Sequence, residues 1–209
     1  MKLILVRHGE TAWNEDRLVQ GGDIDVELNE TGLAQAQKVA VFLSDEPVTL
    51  VLSSPLQRAR ATAEAIAAHH GLPVQTDHRL RELRLGALDG MSISSLNTTF
   101  SQFLSGWWQE KGPTTSPDGE TFVQLQERTW PVVQDLLAAP RPVAGNPGRA
   151  AQTTAVLVSH FFVTLAIILR ALGLPADSFP RFRVDLAGVS VLEFADHGAR
   201  LVTFNDTSY

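Results

Sequence analysis

Short apolar runs alternate along the chain with longer segments whose apolar residues recur at helical spacing. Continuous apolar runs bounded by turn residues are typical of buried strands, and the longer periodic segments are typical of helices packed on a sheet. The strands are predicted at Lys2–Val6, Thr49–Ser53, Val74–Thr76 and Ala155–Ser159, with two or three more within Arg183–Phe204. The helices are predicted at Glu30–Leu43, from Pro55 to the residue before Gly71, at Phe161–Leu172, and over much of Ser92–Ala138 with a break at about 112–119. This alternation predicts an α/β fold, a three-layer α/β/α sandwich with a mainly parallel sheet.

Capping residues define two of the helix starts. Asn29 precedes the first long helix and can accept a backbone N–H of its first turn. Ser54 and Pro55 come before Gln57, which predicts Ser54 as an N-cap, proline at the first helical position and a capping-box glutamine. The free N–H groups of that helix would then favour an anion at the carboxyl edge of the sheet. The residues of 139–154 are rich in Pro, Gly, Ala and Thr and predict a mobile surface loop without chemistry.

Length, charge and cysteine content limit the classes of protein that remain. The 209 residues, 44% of them hydrophobic, are enough for one core and predict a single domain over residues 1–209. A net charge of −6 argues against binding to nucleic acid or an anionic membrane. The absence of cysteine excludes disulfides and thiolate zinc sites. The apolar stretch Ala155–Leu169 is too short for a membrane span of about 20 residues, and Leu3–Val6 is too short for a secretory signal, so we expect a cytoplasmic protein.

Five polar residues follow the predicted strands at their carboxyl ends. Arg7 and His8 end the first strand, Arg58 lies in the first turn after the second, Glu82 follows the third, and His160 follows the fourth. Taken singly, the arginine can be a solvated helix residue, the glutamate a loop carboxylate, and the second histidine part of the core. Because ligands of parallel sheets bind at the carboxyl ends of the strands, their convergence predicts a site for an anion, with phosphate the first candidate.

The segment Arg7-His8-Gly9-Glu10-Thr11, with Asn14, resembles the signature of the histidine phosphatase superfamily, the phosphoglycerate mutase-like enzymes. Further segments resemble that family in the same order over nearly the whole chain: Gln20-Gly21 with Asp25, Leu28 and Gly32; Ser53-Ser54-Pro55-Leu56-Gln57-Arg58-Ala59 with Thr62; Leu80-Arg81-Glu82 with Gly86 and Gly90; Gly119-Glu120-Thr121 with Arg128; and Val156-Leu157-Val158-Ser159-His160. The chain departs from the pattern in Glu27, where proline is usual, and in Phe161, where glycine is usual. The resemblance implies a phosphoglycerate mutase-like fold.

The residue types match phosphoryl transfer through a covalent intermediate. His8 is predicted as the nucleophile, kept neutral by the surrounding positive charge. Arg7, Arg58, Asn14 and His160 are expected to hold the phosphate oxygens. Glu82 is expected to protonate the leaving group and then to accept a proton from water. No metal ion or other cofactor is expected, since Asp23 and Asp25 stand apart from any cluster of metal ligands.

The substrate side of the site is less constrained by the sequence. Gln20 and Gly21, together with the region of Trp107 and Trp108, are expected to cover the pocket, although the tryptophans can equally be core residues. Phe161 is predicted either to narrow the pocket beside His160 or to pack outward.

Within the family, the mutases carry a tyrosine three residues after the glutamate and an insert that encloses a bisphosphate. Leu85 occupies the tyrosine position and the segment 98–119 is compact. We therefore expect a phosphatase acting on a small phosphorylated metabolite. A mutase-type phosphoryl transfer, a non-catalytic phosphate-binding module and a homodimer are left open.

Overall fold

A computed structural model describes residues 1–94, 119–139 and 153–209. Within these ranges six strands form one sheet in the order β3-β2-β4-β1-β5-β6. The strands are β1 (Lys2–Arg7), β2 (Leu50–Ser53), β3 (Val74–Thr76), β4 (Thr154–Ser159), β5 (Val189–Ala195) and β6 (Gly198–Asp206). The pairs β3-β2, β2-β4 and β4-β1 are parallel, and β5 and β6 extend the sheet as antiparallel strands. The predicted, mainly parallel α/β sheet is confirmed.

Four of the five helices in the described residues fall within predicted segments, whereas the short first helix was not predicted. They are α1 (Ala12–Glu15), α2 (Glu30–Phe42), α3 (Gln57–His70), α4 (Phe122–Ala138) and α5 (Phe161–Ala171), with short 3-10 turns at His78–Leu80, Gly86–Leu88 and Ala176–Arg181. The Asn29 side chain caps α2 by accepting the N–H of Gly32, as predicted. Gly71 ends α3 in the left-handed conformation, with φ of 61°, where glycine is favoured. The predictions for 95–118, which include Trp107 and Trp108, and for 140–152 lie outside the described residues.

The apolar residues of β1 alternate between two cores, one on each face of the sheet. Leu3 and Leu5 belong to the cluster that includes buried residues of α4 and α5. Ile4 and Val6 belong to the cluster that includes buried residues of α2 and α3. Because successive side chains of a strand point to opposite faces, a strand covered on both faces is apolar throughout. Helices therefore cover both faces, and the three-layer sandwich is confirmed.

The start of α3 differs from the prediction. The helix begins at Gln57, its N-cap residue is Leu56, and no side-chain cap bond is made by that residue. The N–H of Gln57 instead donates to Oδ1 of Asp25 at 2.7 Å, so a carboxylate from a distant loop caps the helix. The predicted N-cap role of Ser54 and the predicted first helical position of Pro55 are wrong, because the helix begins only at Gln57, after both residues. Across the described part of the chain, no helix has the length and apolar character needed to span a membrane.

Candidate active site

Two histidines meet where β1 and β4 end. These strands are parallel neighbours, and Arg7 of β1 pairs with Ser159 of β4. His8 and His160, which directly follow these two residues, therefore lie side by side at the same edge of the sheet. The N–H of His8 donates to the carbonyl of Ser159 at 2.9 Å. The two imidazole rings lie edge to face with their centroids 5.2 Å apart, and both are buried. Strand register therefore brings together two residues separated by most of the chain.

The hydrogen bonds of His8 identify its reactive nitrogen. Its Nδ1 lies 2.7 Å from the carbonyl oxygen of Gly9, and a carbonyl only accepts, so Nδ1 carries a hydrogen. Burial, followed by the charges of Arg58 and Arg7, lowers the pKa of His8 well below its usual value. The neutral ring therefore has its unshared electron pair on Nε2.

Gly9 lies so close to α2 that no other residue fits. A Cβ built on Gly9 would lie 2.5 Å from the carbonyl oxygen of Gly32. The N–H of Gly9 donates to Oγ1 of Thr62 in α3 at 3.2 Å. The close approach fixes the backbone after β1, and with it the carbonyl that orients the ring of His8.

Two arginines provide positive charge beside the histidines. Arg7 donates from Nη1 to the carbonyl of Val184 at 2.6 Å, and Arg58 donates from Nη1 to the carbonyl of Ile24 at 2.7 Å. Burial lowers the pKa of each guanidinium to about 10, so both stay charged at neutral pH. The Nε atoms of both arginines are buried and have no hydrogen-bond partner within the described part of the chain. Buried cationic donors of this kind suit a phosphate group.

Glu82 combines deep burial with bonds from two backbone amides. Its Oε1 accepts the N–H of Leu83 at 2.8 Å, and its Oε2 accepts the N–H of Phe162 in the first turn of α5 at 3.2 Å. Burial raises the pKa of Glu82, although the two amides and the nearby arginines oppose that shift. A carboxyl with a raised pKa keeps its proton to higher pH and can act as a general acid.

The loop that carries Glu82 is held by an arginine of α4. Arg128 donates to the carbonyls of Arg79 at 2.6 Å and Glu82 at 3.0 Å, and it forms an ion pair with the buried Glu120 at 2.6 Å. The hydroxyl of Ser159 donates to the carbonyl of Leu80 at 2.7 Å from the other side. Arg128 and Glu120 lie in a segment whose sequence resembles the family. Their contacts with this loop, however, could not be predicted from the sequence.

His160 is completely buried and is oriented by Ser54. Its Nε2 lies 2.8 Å from the Ser54 hydroxyl, and its Nδ1 has no partner in the regions the structure describes. Burial is the largest cause that lowers the pKa of His160 well below its usual value. The Ser54 oxygen also accepts the N–H of Leu56 at 3.4 Å, and we assign its hydroxyl hydrogen to Nε2 of His160. With Nε2 as acceptor, the neutral ring carries its hydrogen on Nδ1.

A cavity of about 450 Å³ opens onto this group of residues. Its polar lining residues are Arg7, His8, Asn14, Gln20 and Glu82. The remaining wall, which we term the apolar chamber, is formed by Leu18, Val19, Leu85, Leu88, Ile93, Phe161, Phe162, Phe179, Pro180 and Phe182.

The structure thus brings together the five residues predicted at the carboxyl edge. Arg7, His8 and Glu82 lie on the cavity wall, whereas Arg58 and His160 are fully buried. Arg58 is nonetheless close enough to lower the pKa of His8.

The residues predicted on the substrate side separate into two groups. Asn14 and Gln20 line the cavity, and so does Phe161, whose ring centroid lies 5.5 Å from Cζ of Arg7. Gly21 is not on the wall. Its N–H donates to Asp89 at 2.7 Å and its carbonyl accepts from Arg58 at 3.3 Å, so its polar groups support other residues.

Within the described ranges, no group of three or more His, Cys, Asp or Glu side chains is arranged to hold a metal ion. The positive charge next to His8 comes from Arg7 and Arg58. The expectation that the reaction needs no metal stays a prediction, and removal of metal by a chelator tests it.

Comparison with known proteins identifies the family. A model of the histidine phosphatase superfamily (branch 1) matches residues 3–207. The chain belongs to the histidine phosphatase superfamily. The predicted resemblance is thereby confirmed over nearly the whole sequence.

Other members of the superfamily that are similar to this chain include a mutase and several phosphatases. The chain is 33% identical to a probable phosphoglycerate mutase, GpmB, of Yersinia pestis, over 94% of this chain and 86% of the relative. A mycobacterial glucosyl-3-phosphoglycerate phosphatase, solved with VO3, superposes with a TM-score of 0.86 at 29% identity and 99% coverage of both chains. A phosphoserine phosphatase mutant from Entamoeba histolytica, solved with phosphoserine, has a TM-score of 0.82 at 29% identity, covering 99% of this chain and 98% of the other. These relatives support an enzyme that acts on phosphate esters.

Proposed function

We propose that this chain is a metal-independent phosphomonoester hydrolase that acts through a phosphohistidine on His8. The observation that carries the proposal is the state of His8, a buried neutral imidazole with an unprotonated Nε2 on the wall of the cavity. Glu82, whose pKa is raised, lies on the same wall. A nucleophile and a proton donor on one cavity, next to two arginines, are the groups that this reaction requires.

In the first step, Nε2 of His8 attacks the phosphorus atom of the ester. The new P–N bond forms as the bond between phosphorus and the ester oxygen breaks. The departing alkoxide takes the proton of the Glu82 carboxyl and leaves as an alcohol. His8 then carries the phosphoryl group on Nε2, while its Nδ1–H stays bonded to the carbonyl of Gly9.

In the second step, the ionised Glu82 accepts a proton from a water molecule that attacks the phosphorus. The P–O bond to water forms, the P–N bond breaks, and inorganic phosphate leaves. His8 regains its electron pair on Nε2, and Glu82 regains the proton that it gave to the alcohol, so the enzyme returns to its starting state.

The negative charge of the phosphoryl oxygens needs donors that are already in position. We assign Arg7, Arg58, Asn14 and Nδ1 of His160 to this role. The assignment is supported by the unpartnered buried atoms Arg7 Nε, Arg58 Nε and His160 Nδ1, counted over the residues that the structure describes. Fixed donors in a site of low dielectric stabilise developing charge more strongly than water does.

A mutase-type transfer is the second candidate, because a relative at 33% identity is named a probable phosphoglycerate mutase. The two reactions share the phosphohistidine and differ in the acceptor, which is water in one and a second alcohol in the other. Leu85 lies on the chamber wall, at the sequence position where mutases of the family carry tyrosine, and this difference supports the hydrolase.

A non-catalytic module would need Phe161 to block the site. The ring of Phe161 lies against Arg7 on the wall of an open cavity, which supports turnover instead.

Rapid-quench labelling tests the proposal. Brief reaction with a ³²P-labelled ester, followed by an alkaline quench, is expected to leave label on the protein that acid removes, as for a phosphoramidate. His8→Ala is expected to carry no label, and the exposed His197, replaced by alanine, serves as the matched control. Label that is stable to acid, or label that persists in His8→Ala, contradicts the assignment. Release of inorganic phosphate rather than transfer to an added alcohol distinguishes hydrolase from mutase.

The match of one family model to residues 3–207 supports a single domain over residues 1–209, as predicted. A small phosphorylated molecule is the expected partner, since a neighbouring structure holds phosphoserine. The net charge of −6 does not favour nucleic acid or anionic membranes as partners. The cytoplasmic location and the homodimer stay predictions.

A further inference from the structure

We propose that the site takes phosphomonoesters of apolar alcohols, whose alkyl or aryl group lies in the apolar chamber. This inference rests on the proposed function and adds the class of substrate. It starts from the composition of the cavity wall, on which the ten residues of the apolar chamber outnumber the five polar residues. A phosphate held beside His8 leaves the remainder of its substrate in the chamber.

The aromatic part of the chamber is held in place by its own packing. Phe162 packs edge to face against Phe161 and Phe179, with ring centroids 4.9 Å and 5.6 Å away. Phe179 stacks on Phe122 of the core at 4.8 Å, and Phe182 packs against Phe204 of β6 at 5.6 Å. Each of these four chamber rings therefore has an aromatic neighbour that restricts it. A preformed apolar wall binds an apolar ligand without the entropic cost of first ordering its side chains.

The positive charge on the described cavity wall comes from Arg7, next to His8. Among its described lining residues, Arg7 is the only cation, because His8 is neutral and Glu82 is an acid. A second anionic group on the substrate, such as the carboxylate of 3-phosphoglycerate, would enter the chamber without a cationic partner among the chamber residues that the structure describes. Burying an unpaired charge is costly, whereas burying a methylene group is favourable.

Phe161 contacts both the polar and the apolar parts of the cavity wall. Its ring faces the guanidinium of Arg7 at 5.5 Å and also belongs to the chamber wall. Phe161, one of the two residues at which this chain departs from the family pattern, thus adds apolar surface directly beside Arg7. The first carbons of an ester would contact this ring.

A series of n-alkyl phosphates tests the inference. Ethyl, butyl and hexyl phosphate have leaving groups of nearly equal basicity, so their kcat/KM values differ mainly through contacts of the chain. Complete burial of one methylene contributes about 0.8 kcal/mol, which corresponds to an increase of about fourfold in kcat/KM per methylene. We expect kcat/KM to increase by nearly that factor for each methylene added from ethyl to hexyl phosphate, and hexyl phosphate is expected to have a higher kcat/KM than 3-phosphoglycerate. A flat series, or a preference for 3-phosphoglycerate, overturns the inference.

Phosphate esters with longer alkyl chains distinguish a short alcohol from a lipid as the substrate. An increase that ends near hexyl or octyl phosphate identifies a short alcohol that fills a chamber of limited volume. An increase that continues to dodecyl phosphate identifies a lipid chain that extends beyond the chamber. Both results support an apolar alcohol as the substrate class.

A charge placed in the chamber gives an independent test. Ile93 lies on the chamber wall and is 42% exposed, so the substitution Ile93→Lys is compatible with folding. The ratio of kcat/KM for hexyl phosphate to that for 3-phosphoglycerate is expected to fall at least tenfold, roughly the loss of two buried methylene contacts. Val41→Lys in α2 is the matched control, since Val41 is 61% exposed and is not among the chamber residues. The same ratio in both variants contradicts the inference.

Phosphonates cannot be hydrolysed, so their binding tests the apolar substrate class independently of the proposed hydrolysis through His8. If alkyl phosphates are hydrolysed through His8 without dependence on chain length, the proposed function stands and the apolar substrate class is wrong. If no ester is hydrolysed, the proposed function fails, and calorimetry with ethylphosphonate and hexylphosphonate still tests the chamber. Tighter binding of hexylphosphonate supports an apolar ligand, and equal affinity overturns it.

Discussion

The hydroxyl of Ser54 orients His160, and replacing Ser54 with alanine is expected to impair catalysis more than stability. The substitution removes the oxygen 2.8 Å from Nε2 of His160, a ring with no exposed surface. Without that partner, the neutral ring has no bond that favours the hydrogen on Nδ1 rather than on Nε2. The Nδ1–H donor that we assign to a phosphoryl oxygen is then lost in part of the molecules.

The magnitude follows from the groups left without partners. A buried polar atom that loses its hydrogen bond costs about 1–3 kcal/mol. For a chain of this length, such a loss lowers the Tm by roughly 2–4 °C per kcal/mol. Removing one fixed donor to a developing oxyanion lowers kcat by roughly 10²- to 10³-fold. Since Ser54→Ala perturbs the donor without deleting it, we expect a decrease in kcat of about 10²-fold, near the lower end of that range.

The adjacent serine provides a matched control. Ser53 is also completely buried, and its hydroxyl donates to the backbone carbonyl of Ser54 at 2.8 Å rather than to the ring of His160. Ser53→Ala is expected to lower the Tm to a similar extent while kcat on an aryl phosphate stays within a few-fold of the wild type. The affinity for vanadate, measured by inhibition, is expected to fall in Ser54→Ala alone. Equal effects of both substitutions on kcat and on vanadate affinity would refute an orienting role for Ser54.

Four further predictions concern the acid, its titration, the aromatic neighbour of Arg7 and the absence of a metal. Glu82→Gln is expected to slow alkyl phosphates at least 10²-fold more than aryl phosphates, whose leaving groups need little protonation, and equal losses would indicate a structural role. Because the pKa of Glu82 is raised and its protonated form is the active one, kcat/KM for alkyl phosphates is expected to fall as the pH rises through that pKa; this decrease is to be absent from the pH profile of Glu82→Gln. Phe161→Leu removes the ring over Arg7, worth about 1 kcal/mol, and is expected to raise the inhibition constant of inorganic phosphate roughly fivefold; an unchanged constant contradicts the contact. Activity is expected to survive incubation with EDTA, and loss that added divalent metal restores would overturn the metal-free mechanism.

The order of elements and the site of the chemistry could be predicted from local patterns. The continuous apolar run of β1 and the helical spacing in α2 and α3 reflect burial on both faces of a sheet, which is a property of short sequence windows. Parallel strands connected by helices have their carboxyl ends at one edge, so residues that directly follow the strands must gather there. Arg7, His8 and His160 were predictable for that reason.

The support of those residues depends on contacts between distant segments. Ser54 and His160 are 106 positions apart, and their hydrogen bond exists because β2 and β4 are neighbours in the sheet. Asp25 replaces Ser54 at the start of α3 because a loop brings its carboxylate to the free N–H of Gln57.

The sequence by itself therefore determined the layers of the fold, the family and the edge at which the reactive groups meet. Only the tertiary structure decided which nitrogen of His8 is free, which residue orients His160, and what the rest of the cavity wall is made of. The physical reason is that hydrophobic periodicity and capping are encoded within one or two turns of chain, whereas a hydrogen bond or a cavity wall depends on how separate elements pack.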